Sequence, residues 1–188
     1  MTLFRATSFF ICLAAAGCSG CGSSTSQENA AAATPARETA LAVNDQAPAF
    51  SARDQAGNTR TLQEFRGHPV VLYFYPRDAT PGCTQEACAF RDSWERILGM
   101  GAFVLGVSTD SVESHASFAA EQRLNFPLLA DPDERIIGAY GVSTTLGLAH
   151  RMTYIIDGNG RIAHVFPDVD PSVHVDEVIA VLERLRAH

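Results

Sequence analysis

Residues Pro69-Val-Val-Leu-Tyr-Phe-Tyr75 form an unbroken apolar run of strand length that stops at Pro76. A strand with one face in water alternates polar and apolar residues, so a run without alternation needs cover on both faces. The chain must therefore build a central mixed or parallel sheet with other elements packed on each side. The flanking patterns supply those elements. Residues 49–53 and 60–62 flank Asp54-Gln-Ala-Gly-Asn58, whose Gly and Asn predict a hairpin turn, and Leu62-Gln-Glu-Phe-Arg66 before Gly67 predicts one or two helical turns. Past Pro76, a loop holding Pro81 and Gly82 leads into a helix entered at Cys83. Ala87, Phe90, Trp94, Ile97 and Leu98 follow at helical spacing, with Gly99 as the stop.

Phe103-Val-Leu-Gly-Val107 reads as the next buried strand, and Asp110 with Glu113 resembles a capping box opening a helix over 112–124. Residues 126–130 give a further strand and 134–140 a short helix. Residues 152–156, the turn Asp157-Gly-Asn-Gly160, and 161–166 make a hairpin. Val175, Val178, Ile179, Val181, Leu182 and Leu185 mark a C-terminal amphipathic helix opened by Asp170-Pro171. Strands alternating with helices, closed by a hairpin and a helix, indicate an α/β or α+β layered fold in one domain over 45–188.

The first 44 residues read differently. Arg5 precedes the apolar run Phe9-Phe-Ile-Cys-Leu-Ala-Ala-Ala16, which has the length of a signal-peptide core and is too short to span a bilayer. The run ends in Ala15-Ala-Gly-Cys18, which resembles a bacterial lipobox whose cysteine becomes the acylated first residue; Ala15 stands where Leu is most usual. Residues 1–17 are thus expected to be a lipoprotein-type signal peptide and Cys18 the lipid attachment site. Plain cleavage after Ala16 and a Cys18/Cys21 pair are the other readings. Residues 18–44, rich in Ser, Gly, Thr, Gln, Asn, Ala and Pro, cannot bury enough apolar surface to fold. They are expected to form a tether with an end-to-end distance of roughly 25–30 Å. This places the domain outside the cytoplasm, facing the periplasm, with the lipid as its sole link to a membrane. The net charge of −7 argues against a nucleic-acid partner.

The chemistry concentrates at Cys83. A cysteine at a helix N-terminus meets unpaired N–H groups and the positive end of the helix dipole, which favour the thiolate. Cys88 lies five residues on. In a regular helix this separates the Cα atoms by roughly 8–9 Å, whereas a disulfide needs about 7 Å or less. The pair therefore bonds only if the first helical turns unravel, which points to a redox cycle coupled to local unfolding rather than a permanent staple. The six histidines show no zinc-ligand spacing.

Pro76-x-x-x-Thr80-x-x-Cys83 resembles the peroxiredoxin signature, and residues 74–92 as a whole resemble the bacterioferritin comigratory protein, or Q-type, subfamily. Phe126-Pro-Leu-Leu-Ala-Asp-Pro-Asp133, Ala139-Tyr-Gly-Val142 and Arg151-Met-Thr-Tyr-Ile-Ile-Asp157 resemble further segments of that family. The resemblance implies a thioredoxin-like fold, a central mixed sheet flanked by helices, and a thiol peroxidase without metal or organic cofactor. It implies Cys83 as the peroxidatic cysteine and Cys88 as the intramolecular resolving cysteine. Thr80 would bond peroxide and thiolate, Pro76 would shield the pocket, Arg151 would stabilise the thiolate, and Glu86 would orient that arginine. The implied partners are a peroxide and a thioredoxin-like protein reductant, and the implied state is a monomer or weak dimer.

Outside the resemblance, Thr80 reads as a helix cap and Arg151 as a solvated strand charge. His150 points opposite to Arg151, and Tyr73, Tyr75, Phe90 and Trp94 read as core. Rival classes are weaker. A copper-delivering Sco-type protein has three residues between its cysteines, where this chain has four. A thioredoxin-like reductase needs CxxC at the helix start, and a non-enzymatic lipoprotein needs an unreactive Cys83.

Overall fold

The computed structural model describes residues 39–187. The expected signal peptide, Cys18 and most of the expected tether lie outside the described residues. The packed part extends N-terminal to Asp45: Leu41 is buried, and its N–H donates to Tyr154 Oη at 3.1 Å.

The strands are β1 (Ser51–Asp54), β2 (Thr59–Thr61), β3 (Val70–Phe74), β4 (Phe103–Ser108), β5 (Leu128–Ala130), β6 (Thr144–Thr145), β7 (Leu148–Ala149), β8 (Met152–Ile156) and β9 (Ile162–Phe166). The helices are α1 (Pro81–Asp92), α2 (Trp94–Gly99), α3 (Val112–Gln122), α4 (Arg135–Ala139) and α5 (His174–Arg186), with a 3-10 turn over Leu62–Phe65. Seven strands join one mixed sheet in the order β2-β1-β5-β4-β3-β8-β9. The β3–β4 and β4–β5 pairs are parallel; β3–β8, β8–β9, β1–β2 and β1–β5 are antiparallel.

β3 is central and buried along its whole length, as an apolar run without alternation requires. Its side chains feed two cores. Val70, Leu72 and Phe74 enter one with Tyr140 and Tyr154; Val71 and Tyr73, with Tyr75 beyond the strand end, enter the other with Cys83, Phe90 and Phe118. α1, α2, α3 and α5 contribute buried residues to the second core, and α4 with the N-terminal strap contributes to the first. Gly106 of β4 lets the Tyr73 ring lie across the sheet, since a Cβ there would come within 2.8 Å of it.

Several local expectations are corrected. α1 begins at Pro81, two residues before Cys83, because proline at the first helical position has a preset φ and no N–H to leave unpaired. The helix expected to run on to Gly99 divides at Ser93 into α1 and α2, leaving Leu98 exposed. The helix stops at Gly99 as expected, and the left-handed residue that follows it is Gly101 (φ 76). Asp110 does not cap α3. Ser111 does, accepting from Ser114 N at 3.3 Å, while the Asp110 carboxylate accepts from Ser108 Oγ at 2.7 Å and Asp78 N at 2.9 Å. α3 ends at Gln122, with Arg123 left-handed at φ 52. Asp170-Pro171 forms a turn closed by Ser172 N on Asp170 Oδ1 at 2.9 Å, and α5 starts later, at His174. The β6–β7 hairpin, with Leu146 and Gly147 both at positive φ, has no counterpart in the sequence reading.

Candidate active site

β3 delivers the chain to the site. Tyr75 N–H still donates to Val107 O at 3.1 Å, and Pro76, which lacks an N–H, ends the ladder. After the loop through Ala79, Thr80 occupies the N-cap with extended φ and ψ of −78 and 149, and Pro81 opens α1. Cys83 is the third helical residue. The first i to i−4 bond is Thr84 N to Thr80 O at 2.8 Å, so the N–H groups of Gly82 and Cys83 precede the helical ladder. Cys83 is 2% exposed, on the apolar face of α1.

Arg151 precedes β8 in the chain. Because β8 runs antiparallel to β3 with Phe74 opposite Met152, the next step places Arg151 beside the end of β3, where the loop to α1 begins. Its Nη2 donates to Cys83 Sγ at 3.0 Å and its Nη1 to Glu86 Oε2 at 2.6 Å. Glu86 stands three residues after Cys83 on the same face of α1, so one guanidinium fork spans both groups. Gly82 makes room: a Cβ there would lie 3.0 Å from Arg151 Nη2. The arrangement holds a sulfur at a helix N-terminus with a fixed cationic donor against it. That suits an anionic nucleophile and the negative charge it passes to an attacked atom.

Glu86 is fully buried. Burial raises its carboxyl from 4.5 to about 7, with the charge and hydrogen bond of Arg151 pulling the other way. Since the folded value exceeds the unfolded one, the stability Glu86 contributes is fully present below about 4.5 and lost as pH rises through about 7. Glu86→Gln is therefore expected to gain ground on the wild type as pH rises from 5 to 8. Paired thermal melts at those pH values check this, and a melting-temperature difference that stays constant would contradict it.

His174, at the start of α5, packs behind the pair. Its Nε2 lies 2.9 Å from Thr153 Oγ1 and 3.9 Å from Glu86 Oε1. Burial, then the charge of Arg151, lowers it to about 4, so it is neutral at physiological pH. Tyr73 forms the floor, stacked on Phe90 with centroids 4.9 Å apart, and burial raises its phenol well above its ordinary value. Nothing local in the sequence marks His174 as part of the site; only the packing of α5 against α1 brings it there.

The other expected residues fall as follows. Cys88 lies on the same helix, half-buried, its Sγ donating to Gln122 Oε1 at 3.6 Å, and neither Cys83 nor Cys88 is in a disulfide. Thr80 donates its hydroxyl to Arg77 O at 3.1 Å rather than to Sγ, and its side chain makes no cap bond. Pro76 is half-buried at the loop entry. His150 pairs with Thr145 Oγ1 at 2.8 Å in an exposed position. Among the described residues, no group of three His, Cys, Asp or Glu side chains is placed to hold a metal ion.

Residues 43–165 match the model of the AhpC/TSA family. The chain is 44% identical over 142 residues to a chloroplastic peroxiredoxin Q of Sedum lineare, covering 74% of this chain and 76% of that protein. Among solved structures it resembles the peroxidoxin BcpB of Mycobacterium tuberculosis, at TM-score 0.73 and 35% identity over 77% of this chain and 98% of that one. It also resembles a Xanthomonas campestris bacterioferritin comigratory protein, solved to give insight into its alkyl peroxide reduction activity from trapped intermediate and ligand complexes. The TM-score is 0.69 with 35% identity, covering 73% of this chain and 92% of that one.

Proposed function

The chain belongs to the AhpC/TSA family, in its peroxiredoxin Q/Bcp group, and is a thiol-dependent peroxidase; we propose that Cys83 is its peroxidatic thiol and Cys88 its resolving thiol. The observation that carries this is the Arg151 fork, 3.0 Å from Cys83 Sγ and 2.6 Å from Glu86 Oε2, at a buried helix N-terminus. The Cys83 thiolate attacks one oxygen of a hydroperoxide. A sulfur–oxygen bond forms, the O–O bond breaks, and the leaving oxygen takes a proton to depart as water or an alcohol. The thiol of Cys88 then condenses with the Cys83 sulfenic acid, forming the disulfide and releasing water.

A thioredoxin-like dithiol closes the cycle by thiol–disulfide exchange, supplying two electrons and two protons. Hydrogen peroxide and organic hydroperoxides are the substrates of this reading. Alkyl peroxide reduction by the Xanthomonas relative supports the second class. With Cys88→Ser, one equivalent of peroxide should be consumed per chain and the reaction should then stall at the sulfenic acid, trapped with a dimedone-type reagent. Sustained turnover of that variant with a dithiol protein would contradict the resolving role.

We further place the domain outside the cytoplasm on a lipid at Cys18, supported by Ala15-Ala-Gly-Cys18 behind an apolar run. Inhibition of lipoprotein signal peptidase should accumulate a slower-migrating precursor, and unchanged mobility would remove the assignment.

A further inference from the structure

The Cys83–Cys88 reading requires α1 to unwind for disulfide formation and to rewind with Cys83 back against Arg151, so the moving segment needs fixed ends. The structure provides two, and both are made by α3. At the N-terminal end Asp78 is buried, and its carboxylate accepts three hydrogen bonds. Tyr75 Oη donates to Oδ1 at 2.8 Å, Ser114 Oγ to Oδ2 at 2.8 Å, and His115 Nδ1 to Oδ2 at 2.8 Å. An ionised carboxylate only accepts, so His115 carries a proton on Nδ1. Ser114 and His115 belong to the start of α3. The Asp78 N–H adds a bond to Asp110 Oδ2 at 2.9 Å.

At the C-terminal end Arg91 Nη1 donates to the carbonyl of Gln122 at 2.6 Å. Gln122 is the last residue of α3, where carbonyls have no intrahelical partner. Asn125 Nδ2 returns a bond to Arg91 O at 3.4 Å. Just inside the first fixed point, Ala79 has φ 56, a left-handed conformation that a residue with a Cβ holds only when its surroundings impose it.

We propose that α3 is the brace of the redox helix, with Asp78 and Arg91 as positioning residues that confine unwinding to residues 79–90 and return Cys83 to Arg151 after each cycle. The dimensions allow it. Ser114 and Gln122 lie about 12 Å apart along α3, while the chain from Asp78 to Arg91 reaches about 40 Å when extended. The two ends can stay fixed while Cys83 meets Cys88. Side-chain bonds between them that unwinding must release include Arg151 to Cys83, Arg151 to Glu86, Thr80 to Arg77 O, and the long Cys88 to Gln122 contact at 3.6 Å.

Hydrogen-exchange mass spectrometry on the full chain tests this. Oxidised with one equivalent of hydrogen peroxide, the wild type should lose protection within 79–90 and keep it in β3 and α2. In the reduced state, Ser114→Ala, which removes its bond to Asp78, and Arg91→Met, which removes the bond to Gln122 O together with the exposed pair to Asp92, should exchange about 5- to 10-fold faster within 79–90, with β3 and β4 unchanged. Disulfide closure, followed by the fluorescence of Trp94, the single tryptophan, should quicken by a similar factor. Loss of protection through α2 or β3 on oxidation, or variants with unaltered exchange in 79–90, would overturn the brace while leaving the peroxidase assignment intact. A wild type whose oxidised mass shows no loss of two hydrogens would instead remove the Cys83–Cys88 reading, and this inference with it.

Discussion

Cys83→Ser is expected to reduce peroxide turnover to the level of buffer, with the fold preserved. The sulfur is exchanged for an oxygen of similar reach in a site whose packing it barely alters. What disappears is the chemistry: a thiolate accepts an oxygen atom and becomes a sulfenic acid, and a serine hydroxyl does neither. The Arg151 fork remains, so the variant should still hold Glu86 through the 2.6 Å bond and melt close to the wild type. Retained activity would mean that Cys88, half-buried and bonded to Gln122 Oε1, is the attacking thiol. A steady-state peroxide assay with any dithiol reductant checks this.

The second large effect is expected at Arg151. Arg151→Ala should lower the rate constant of Cys83 with peroxide by about 10²- to 10³-fold, the usual cost of removing one preorganised donor to a developing negative charge. The substitution also strips Glu86, buried and raised to about 7, of the one opposing influence on its ionisation. The carboxyl then stays protonated over a wider pH range, and a stopped-flow pH profile should shift accordingly. Arg151→Lys keeps the charge and loses the planar fork, so it cannot serve Cys83 and Glu86 with two parallel donors. Its rate is expected between the two. A lysine variant at wild-type speed would show that charge alone, without the fork, carries the effect.

The sequence carries the sheet and the nucleophile but not the contacts around them. β3, β4 and the β8–β9 hairpin are legible because runs and turns are local patterns, and Cys83 stands out because proline, glycine and a helical apolar stripe surround it. The α1–α2 break at Ser93 leaves the stripe intact as far as Ile97, so helical spacing passes over it. Asp110 mimics a capping residue by spacing, yet its carboxylate is recruited by Asp78, 32 residues away, a partner no local rule identifies. Arg151 meets Cys83 across 68 residues because β8 pairs with β3; only the family resemblance singles it out beforehand. His174, Asp78 and His115 read as ordinary polar residues until α5 and α3 are packed onto the sheet.

The proposed cycle turns on a single covalent event between two residues that share one helix. Intact and peptide mass spectrometry of the reduced protein after one equivalent of hydrogen peroxide reads it directly. The expected product has lost two hydrogens and yields a peptide pair linked between Cys83 and Cys88. A stable sulfenic acid at Cys83 with Cys88 free, or a disulfide to another chain, would contradict it.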